Sequence, residues 1–314
     1  MTRQLMAILL GLSLAACSSP APFGDGTGTD PEEGENPEDI ETDTGSIPSV
    51  LAKDLESFTY NAADETLTIR GISLDNSPFE ETYRRRSGLD RGGYQAYTAQ
   101  DGSLDRHSTA FVRDIRGTRA AIAVTGGQFT YFFAGGAYAN SGNYSPPVAP
   151  GSNESGGLVT YGGDYVGLLN GPGDPGDLLP VAPGTEPSFL PTTAAQVTGR
   201  ILINASFSDG SVNGTITNRQ AYIGTAPAQA IEDLDLAPAP IAADGTFFGE
   251  TSVGLQNRGN YGGIFGGAGA TEVAGVVEAA DHIDAFENEE ELGTFVLSQC
   301  GQPDADPVCN QPNP

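Results

Sequence analysis

The chain has 314 residues, with 41 acidic against 14 basic side chains, a formal charge of -27, no tryptophan and two histidines. No basic stripe exists to displace counterions from phosphates, which argues against nucleic acid as a partner. Gly and Pro, at 43 and 22 residues, are enriched but fall short of the share that marks a wholly disordered chain.

Residues 1–16 carry Arg3, an apolar run from Leu5 to Leu14, then small residues before Cys17. This reads as a secretory signal, too short to span a bilayer as a helix. Leu14-Ala15-Ala16-Cys17 resembles the lipobox of bacterial lipoproteins, and the resemblance implies that Cys17 is lipidated. Several acyl chains on one residue anchor a protein where a single chain binds only marginally. Ser18, in place of an inner-membrane retention aspartate, favours an outer-membrane lipid anchor.

Residues 17–52 follow as an acidic tether, because residues 18–52 hold nine acids, no base and few large apolar groups. Such a stretch buries too little surface to offset its ordering entropy. From residue 53 short alternating runs broken by Gly and Asp-Gly predict strands: a β-rich handle over 53–145, then a second β unit over 154–299. The second unit shows about eight strands, a closing number for a small antiparallel barrel. Asp209-Gly210 suits the positive φ angles of a type I′ hairpin turn. Val273, Val276, Val277, Ala280 and Ile283 also fit one face of a helix, and periodicity leaves strand and helix open there. In the tail, 300–314, Cys300 and Cys309 are an even pair in an oxidising compartment and predict a disulfide loop. Two thiols without a nearby histidine leave zinc short of ligands.

No nucleophile-base pair, triad or metal motif is legible, so catalytic and metal sites are read as none and the chain as not an enzyme. His107, at a turn after Asp105-Arg106, and His282, among Asp281, Asp284 and Glu287, read as solvated. Nine of the fourteen basic residues lie between Arg70 and Arg119. Tyr83, Arg84, Arg85, Arg86 and Arg91 form the most partner-like cluster, since Arg and Tyr are favoured at interface hot spots. The competing reading is a charged surface loop balancing Glu80, Glu81 and Asp90.

Residues 243–299 carry a glycine-flanked aromatic strand (Tyr261, Gly263, Phe265, Gly266), a small-Glu-x-x-Gly strand (Ala270, Glu272, Val273, Gly275) and a closing Gly-x-Phe strand (Gly293, Phe295). This pattern resembles transferrin-binding-protein-B-like surface lipoproteins, clearly over 197–299 and more loosely over 55–299. Factor-H-binding protein and the haemoglobin receptor accessory lipoproteins share the architecture. The resemblance implies an all-β fold, with an N-terminal β-rich handle followed by an eight-stranded antiparallel barrel. It also implies a non-enzymatic binder at the cell surface, with a protein or haem/iron-carrier ligand, a surface-lipoprotein translocator and a TonB-dependent receptor as partners, and a role in iron or haem acquisition. No resident cofactor is expected; haem held by a tyrosine or histidine is the one the resemblance allows, and no spacing selects its ligand. The chain departs from the pattern at Val276-Val277, where an aromatic is usual, and holds one handle and one barrel, half of the two-lobed transferrin binder. The alternative from another class is a periplasm-facing structural envelope lipoprotein with no specific ligand. Glycines at alternate strand positions are expected to let neighbouring aromatic rings lie over bare backbone while the sheet curves shut.

Overall fold

A computed structural model describes residues 40–127, 131–148, 151, 156–283 and 286–310. Signal, Cys17 and the tether as far as residue 39 lie outside them. The described part is almost entirely β, in two sheets within one compact unit, Glu38–Pro314.

The first sheet is an antiparallel meander in chain order: β1 (Ile40–Asp43), β2 (Leu55–Asn61), β3 (Thr66–Ile72), β4 (Pro78–Arg85), β5 (Gln95–Ala99), β6 (Ser108–Ile115), β7 (Thr118–Thr125) and β8 (Ala134–Asn140). The β2–β3 hairpin turns at residues 62–65, where Asn61 Oδ1 accepts from the amides of Ala63 and Asp64. Residues 40–52 correct the expected tether. Strand β1 pairs with β2, a helical turn α1 (Ser49–Ala52) follows, and Thr42, Ile47 and Leu51 are buried. Hydrophobicity is too sparse there for independent folding, but an edge strand needs only a partner's free amides and carbonyls. Arg119 Nε then donates to Thr42 Oγ1 at 2.7 Å.

The second sheet is a closed eight-stranded barrel. Its strands are β9 (Leu158–Pro172), β10 (Ala194–Ser206), β11 (Ser211–Tyr222), β13 (Leu234–Pro240), β14 (Thr246–Val253), β15 (Gln256–Gly266), β16 (Glu272–Ala280) and β17 (Glu290–Ser298); the two-residue β12 (Gln229–Ala230) is appended to β11. Closure comes from β9, which pairs with both β10 and β17, and from β10, which also pairs with β11. The β10–β11 hairpin has a four-residue loop, 207–210, in which Gly210 has φ +62° and Asp209 is not in the positive region. The hairpin forms where Asp-Gly predicts it, but the type I′ turn does not, since that turn needs positive φ at both central residues.

The helix alternative is settled in favour of strand, and burial explains the ambiguity. Val273, Val277 and Ala279 face the barrel interior, while Ala274 and Val276 belong to the core shared with the first sheet. A strand covered on both faces loses the polar alternation that identifies a half-exposed one. Strand β7 is buried throughout for the same reason. Contact between the sheets is close: a Cβ on Gly136 of β8 would fall 2.8 Å from Val276 Cγ1.

Inside the barrel, bare glycines receive rings. Gly275 lies opposite Phe295, Gly263 opposite Phe247 and Gly249 opposite Tyr261. A Cβ at these glycines would fall 2.3, 2.5 and 2.6 Å from the facing ring. Phe247 then packs against both Tyr261 and Phe265, with ring centroids 6.0 and 5.1 Å away.

Candidate ligand cleft

The arginine segment is built from the end of β4 and the loop to β5. Arg85 grips Asp90 with two bonds of 2.6 Å, lies 5.5 Å from the Tyr97 ring centroid and donates to the Ala96 carbonyl at 3.2 Å. Asp90 also accepts from the Ala96 amide at 2.9 Å, so the loop is braced on itself. Gly92 and Gly93, at φ +53° and +80°, reverse the chain between Arg91 and Tyr94. The Tyr94 ring is buried against the barrel, where its hydroxyl donates to the Asp164 carbonyl at 3.1 Å and accepts from the Val296 amide at 2.8 Å. Arg91 stacks over Tyr222 of β11 at 5.4 Å and donates to the Asp90 carbonyl at 3.0 Å.

The opposite wall is the Pro-rich connection from β9 to β10. Asp174 caps a short 3-10 turn, Pro175–Asp177, accepting from Gly176 N at 2.9 Å. Asp177 at its end ion-pairs with Arg86 and takes His107 Nε2 at 2.9 Å. Leu179 N donates to Gln100 Oε1 at 2.9 Å, securing the connection to the first sheet. Between the walls lies a cleft of about 560 Å³ whose lining includes Arg85, Arg86, Arg91, His107, Asp177 and Tyr222.

The five residues singled out from sequence divide. Arg85, Arg86 and Arg91 line the cleft, whereas Arg84 is exposed beside a smaller adjoining pocket. Tyr83 is 3% exposed with its hydroxyl on Ser108 Oγ at 2.7 Å, so it is a core residue and not a partner contact. Alternation along β4 sends it inward. His107 corrects the solvated reading: it is 1% exposed, and burial followed by the Arg86 charge pulls its pKa down to about 4. Because Asp177 can only accept, Nε2 carries the proton, and the buried Nδ1 has no hydrogen-bond partner among the described residues. Asp177 and Tyr222 give no local signal in the sequence, since loop and strand far apart along the chain bring them to the arginines.

His282 corrects the other histidine expectation. It is 3% exposed, at one end of the barrel interior, with Nε2 3.0 Å from Glu291 Oε2. Glu291 also accepts from Tyr165 at 2.6 Å and Arg219 at 2.5 Å. Burial would raise the Glu291 pKa, but the Arg219 charge, with His282 and Tyr165, holds it well below the usual carboxylate range. These groups fill the barrel and bond chiefly to one another, with Arg219 Nε and His282 Nδ1 left without a hydrogen-bond partner among the described residues. Among the described residues no group of three or more His, Cys, Asp or Glu is placed to hold a metal ion. The disulfide joins Cys300 to Cys309.

No family model matches the chain, and no curated protein matches it. Solved structures of transferrin-binding protein B are similar to it. Intact Ap-TbpB, with N and C lobes, is 10% identical at a TM-score of 0.34, over 79% of this chain and 55% of that one. A double mutant of the Haemophilus parasuis Hp5 protein is 11% identical at 0.34, over 79% and 53%. The isotype 1 protein of serogroup B Neisseria meningitidis is 14% identical at 0.33, over 78% and 52%. The chain spans about half the length of these structures. No residue of the cleft takes a role from the likeness.

Proposed function

We propose that the chain is a non-enzymatic binding protein, anchored in the outer membrane through a lipid on Cys17 and displayed at the cell surface, that receives its ligand at the arginine-lined cleft. The observation that carries the reading is the cleft itself, where three arginines and a stacking tyrosine converge in a chain of charge -27. Convergent polar groups in a concave site are the usual mark of ligand binding. Its titratable groups suit holding better than proton transfer: with a pKa near 4, His107 is a weak base at neutral pH, and Arg85 is fixed by Asp90.

The sequence resemblance supports the wider setting, in which a surface-lipoprotein translocator exports the chain and a TonB-dependent receptor works with it in iron or haem capture. The ligand on this reading is a protein or a haem/iron carrier. Among the described residues no helix is long and apolar enough to cross a membrane, and the lipid on Cys17 would supply the attachment.

Four measurements test the reading. Protease added to intact cells should degrade the chain, while full protection until the outer membrane is opened would defeat surface display. Cys17→Ser should move the protein out of the membrane fraction. Affinity capture with the full chain should yield a partner that is lost when Arg86 and Arg91 are both changed to Glu; a partner retained by that variant would remove the cleft from the function. Mixing with haemin should produce a Soret band if haem is carried, and no band would end that extension.

A further inference from the structure

We propose that the cleft receives an extended acidic segment of a partner protein, whose carboxylates on alternate residues meet Arg84 and Arg86. The inference rests on the cleft being the ligand site proposed above, and it names the chemistry of what enters.

Charge at the cleft runs against the rest of the molecule. Acidic side chains outnumber basic ones 41 to 14 over the whole chain, yet the cleft and the smaller pocket adjoining it are lined by Arg84, Arg85, Arg86 and Arg91 against Asp174 and Asp177. His107 adds no charge there at neutral pH, because its pKa is held near 4. Arg85 spends both terminal nitrogens on Asp90 and braces the loop, so the other three arginines are the ones open to a partner. Arg84 is exposed and joins no ion pair among the described residues. The Arg86 side chain is 47% exposed and meets Asp177 through Nη2. Arg91 is held flat over Tyr222, so its plane is set before a ligand arrives.

Spacing decides the class of ligand. Arg84 lies opposite Thr98 in the β4–β5 ladder, and Arg86 N donates to the Ala96 carbonyl at 2.8 Å, which carries the ladder one step past the end of β4. Side chains alternate along such backbone, so Arg84 and Arg86 project to one side about 6.6–6.8 Å apart. Both line the smaller pocket, and Arg86 borders the larger cleft with Arg91 as well, so the three guanidinium groups follow one path through the two pockets. An extended peptide repeats its side chains on one face at the same interval, and Glu or Asp at every second position places carboxylates in register with the arginines. Each pair then forms charge-assisted hydrogen bonds, for which the planar guanidinium is suited. A single carboxylate or phosphate sits on one of these groups; only a chain engages them in series. The uncharged residues between face Asp174 and Asp177, which would repel a continuous polyanion.

Calorimetric titration of the full chain with end-blocked peptides tests this. The probes are Ser-Glu-Ser-Glu-Ser-Glu-Ser, the rearranged Ser-Glu-Glu-Ser-Ser-Glu-Ser, which has the same composition but no two Glu two positions apart, and the alternating peptide with Lys in place of Glu. The alternating acidic peptide should bind about threefold or more tighter than the rearranged one, and the Lys peptide should not bind. Arg84→Gln, at an exposed side chain with no ion pair to lose, should weaken binding by about threefold or more. Joint change of Arg84 and Arg86 to Gln, with the melting curve checked against the native chain, should weaken it by about tenfold or more. Arg70→Gln, on the exposed first sheet with Glu80 and Glu41, should leave it unchanged. No binding of the alternating peptide up to about 1 mM, equal binding of the two acidic peptides, or binding unchanged in the double variant overturns the proposal. So does inorganic phosphate or an eight-nucleotide oligothymidylate bound as tightly as the peptide, the first marking a simple anion site and the second a nucleic-acid groove. If the peptides fail while a captured macromolecule still depends on Arg86 and Arg91, the acidic-segment inference falls and the cleft reading stands; if neither binds, both fall.

Discussion

Arg219 on β11 and Glu291 on β17 meet inside the barrel at 2.5 Å, with side chains 0% and 1% exposed. Their strands lie on different parts of the barrel wall, so the pair ties the cylinder across its interior, and Arg219 Nη1 also donates to the Glu232 carbonyl at 2.5 Å. Removing one member of a buried pair strands the other charge in a medium that cannot solvate it. Glu291→Gln is therefore expected to cost about 3–5 kcal/mol, whereas Arg219→Met with Glu291→Leu should cost much less or nothing. Urea unfolding of the three proteins measures the difference; a single variant as stable as the native chain would show the pair to be solvated. The pH dependence has a defined sign. The folded Glu291 pKa lies below its ordinary 4.5, so its contribution is fully present above pH 4.5 and is lost as pH falls through the folded value. The double variant should lose less stability than the native chain over that acid range.

His107 titrates in the opposite sense from a salt-bridged histidine. Burial, then the Arg86 charge, lowers its folded pKa from 6.5 to about 4. The unfolded chain therefore takes the proton first, and the stabilising contribution, present above pH 6.5, is lost as pH falls from 6.5 toward 4. A shift of this size corresponds to about 3 kcal/mol. His107→Asn removes the titrating group. The difference in unfolding free energy between native and variant should therefore narrow by about that amount between pH 7 and 4, and a constant difference would show that His107 titrates alike in both states.

The glycines of the barrel make a steric prediction. A Cβ on Gly293 would fall 1.8 Å from Tyr165 Oη, and one on Gly275 would meet both the Phe295 ring at 2.3 Å and the Gly262 carbonyl at 2.4 Å. Gly275→Ala should cost about 3 kcal/mol or more, because ring and backbone must both move. Gly171→Ala, with open space around it and no positive φ, should stay within about 0.5 kcal/mol of the native chain. Thermal melting distinguishes them, and similar melting points for the two variants would contradict the packing of rings over bare backbone.

Much of this barrel is legible in the sequence because its signals are local. Glycine opposite an aromatic, Asp-Gly at a turn and runs of alternating residues each act within a hairpin. What the sequence hides is whatever a distant segment supplies. Strand β1 carries too little hydrophobicity to announce itself and forms because β2 offers an edge. His282 sits among acids, the pattern of a solvated loop, yet its ring lies buried inside the barrel against Glu291 and Arg219, the latter 63 residues away along the chain. Three of the five cluster residues reach the cleft, and Tyr83 does not, because its neighbours' polarity masks the inward phase of β4. Asp177, which completes the site, comes from a loop with no periodicity to read.

The C-terminal disulfide loop is pressed onto the barrel at several points, which makes its loss measurable. Cys300 N donates to the Thr160 carbonyl at 2.8 Å, and Val308 packs over Gly162, whose absent Cβ would lie 2.5 Å from Val308 Cγ1. Asp304 takes Arg116, at the turn between β6 and β7, at 2.8 Å and Ser298 Oγ at 2.7 Å; Asp306 pairs with Arg200 of β10. The loop thus fastens the first sheet to the barrel through Asp304, and its two cysteines are nine positions apart. Closing a loop of that length removes unfolded-state entropy equivalent to about 2.5 kcal/mol. Changing Cys300 and Cys309 together to Ser should lower the unfolding free energy by about that amount, and treating the native chain with a reductant should reproduce the shift. Arg116→Gln breaks the half-exposed pair with Asp304 and also strands Glu272, whose side chain is 2% exposed, so it should add more than the roughly 1 kcal/mol of an exposed pair to the loss. Denaturant unfolding with and without reductant decides the matter: a native chain indifferent to reductant would mean that the tail opens without cost and ties nothing to the barrel.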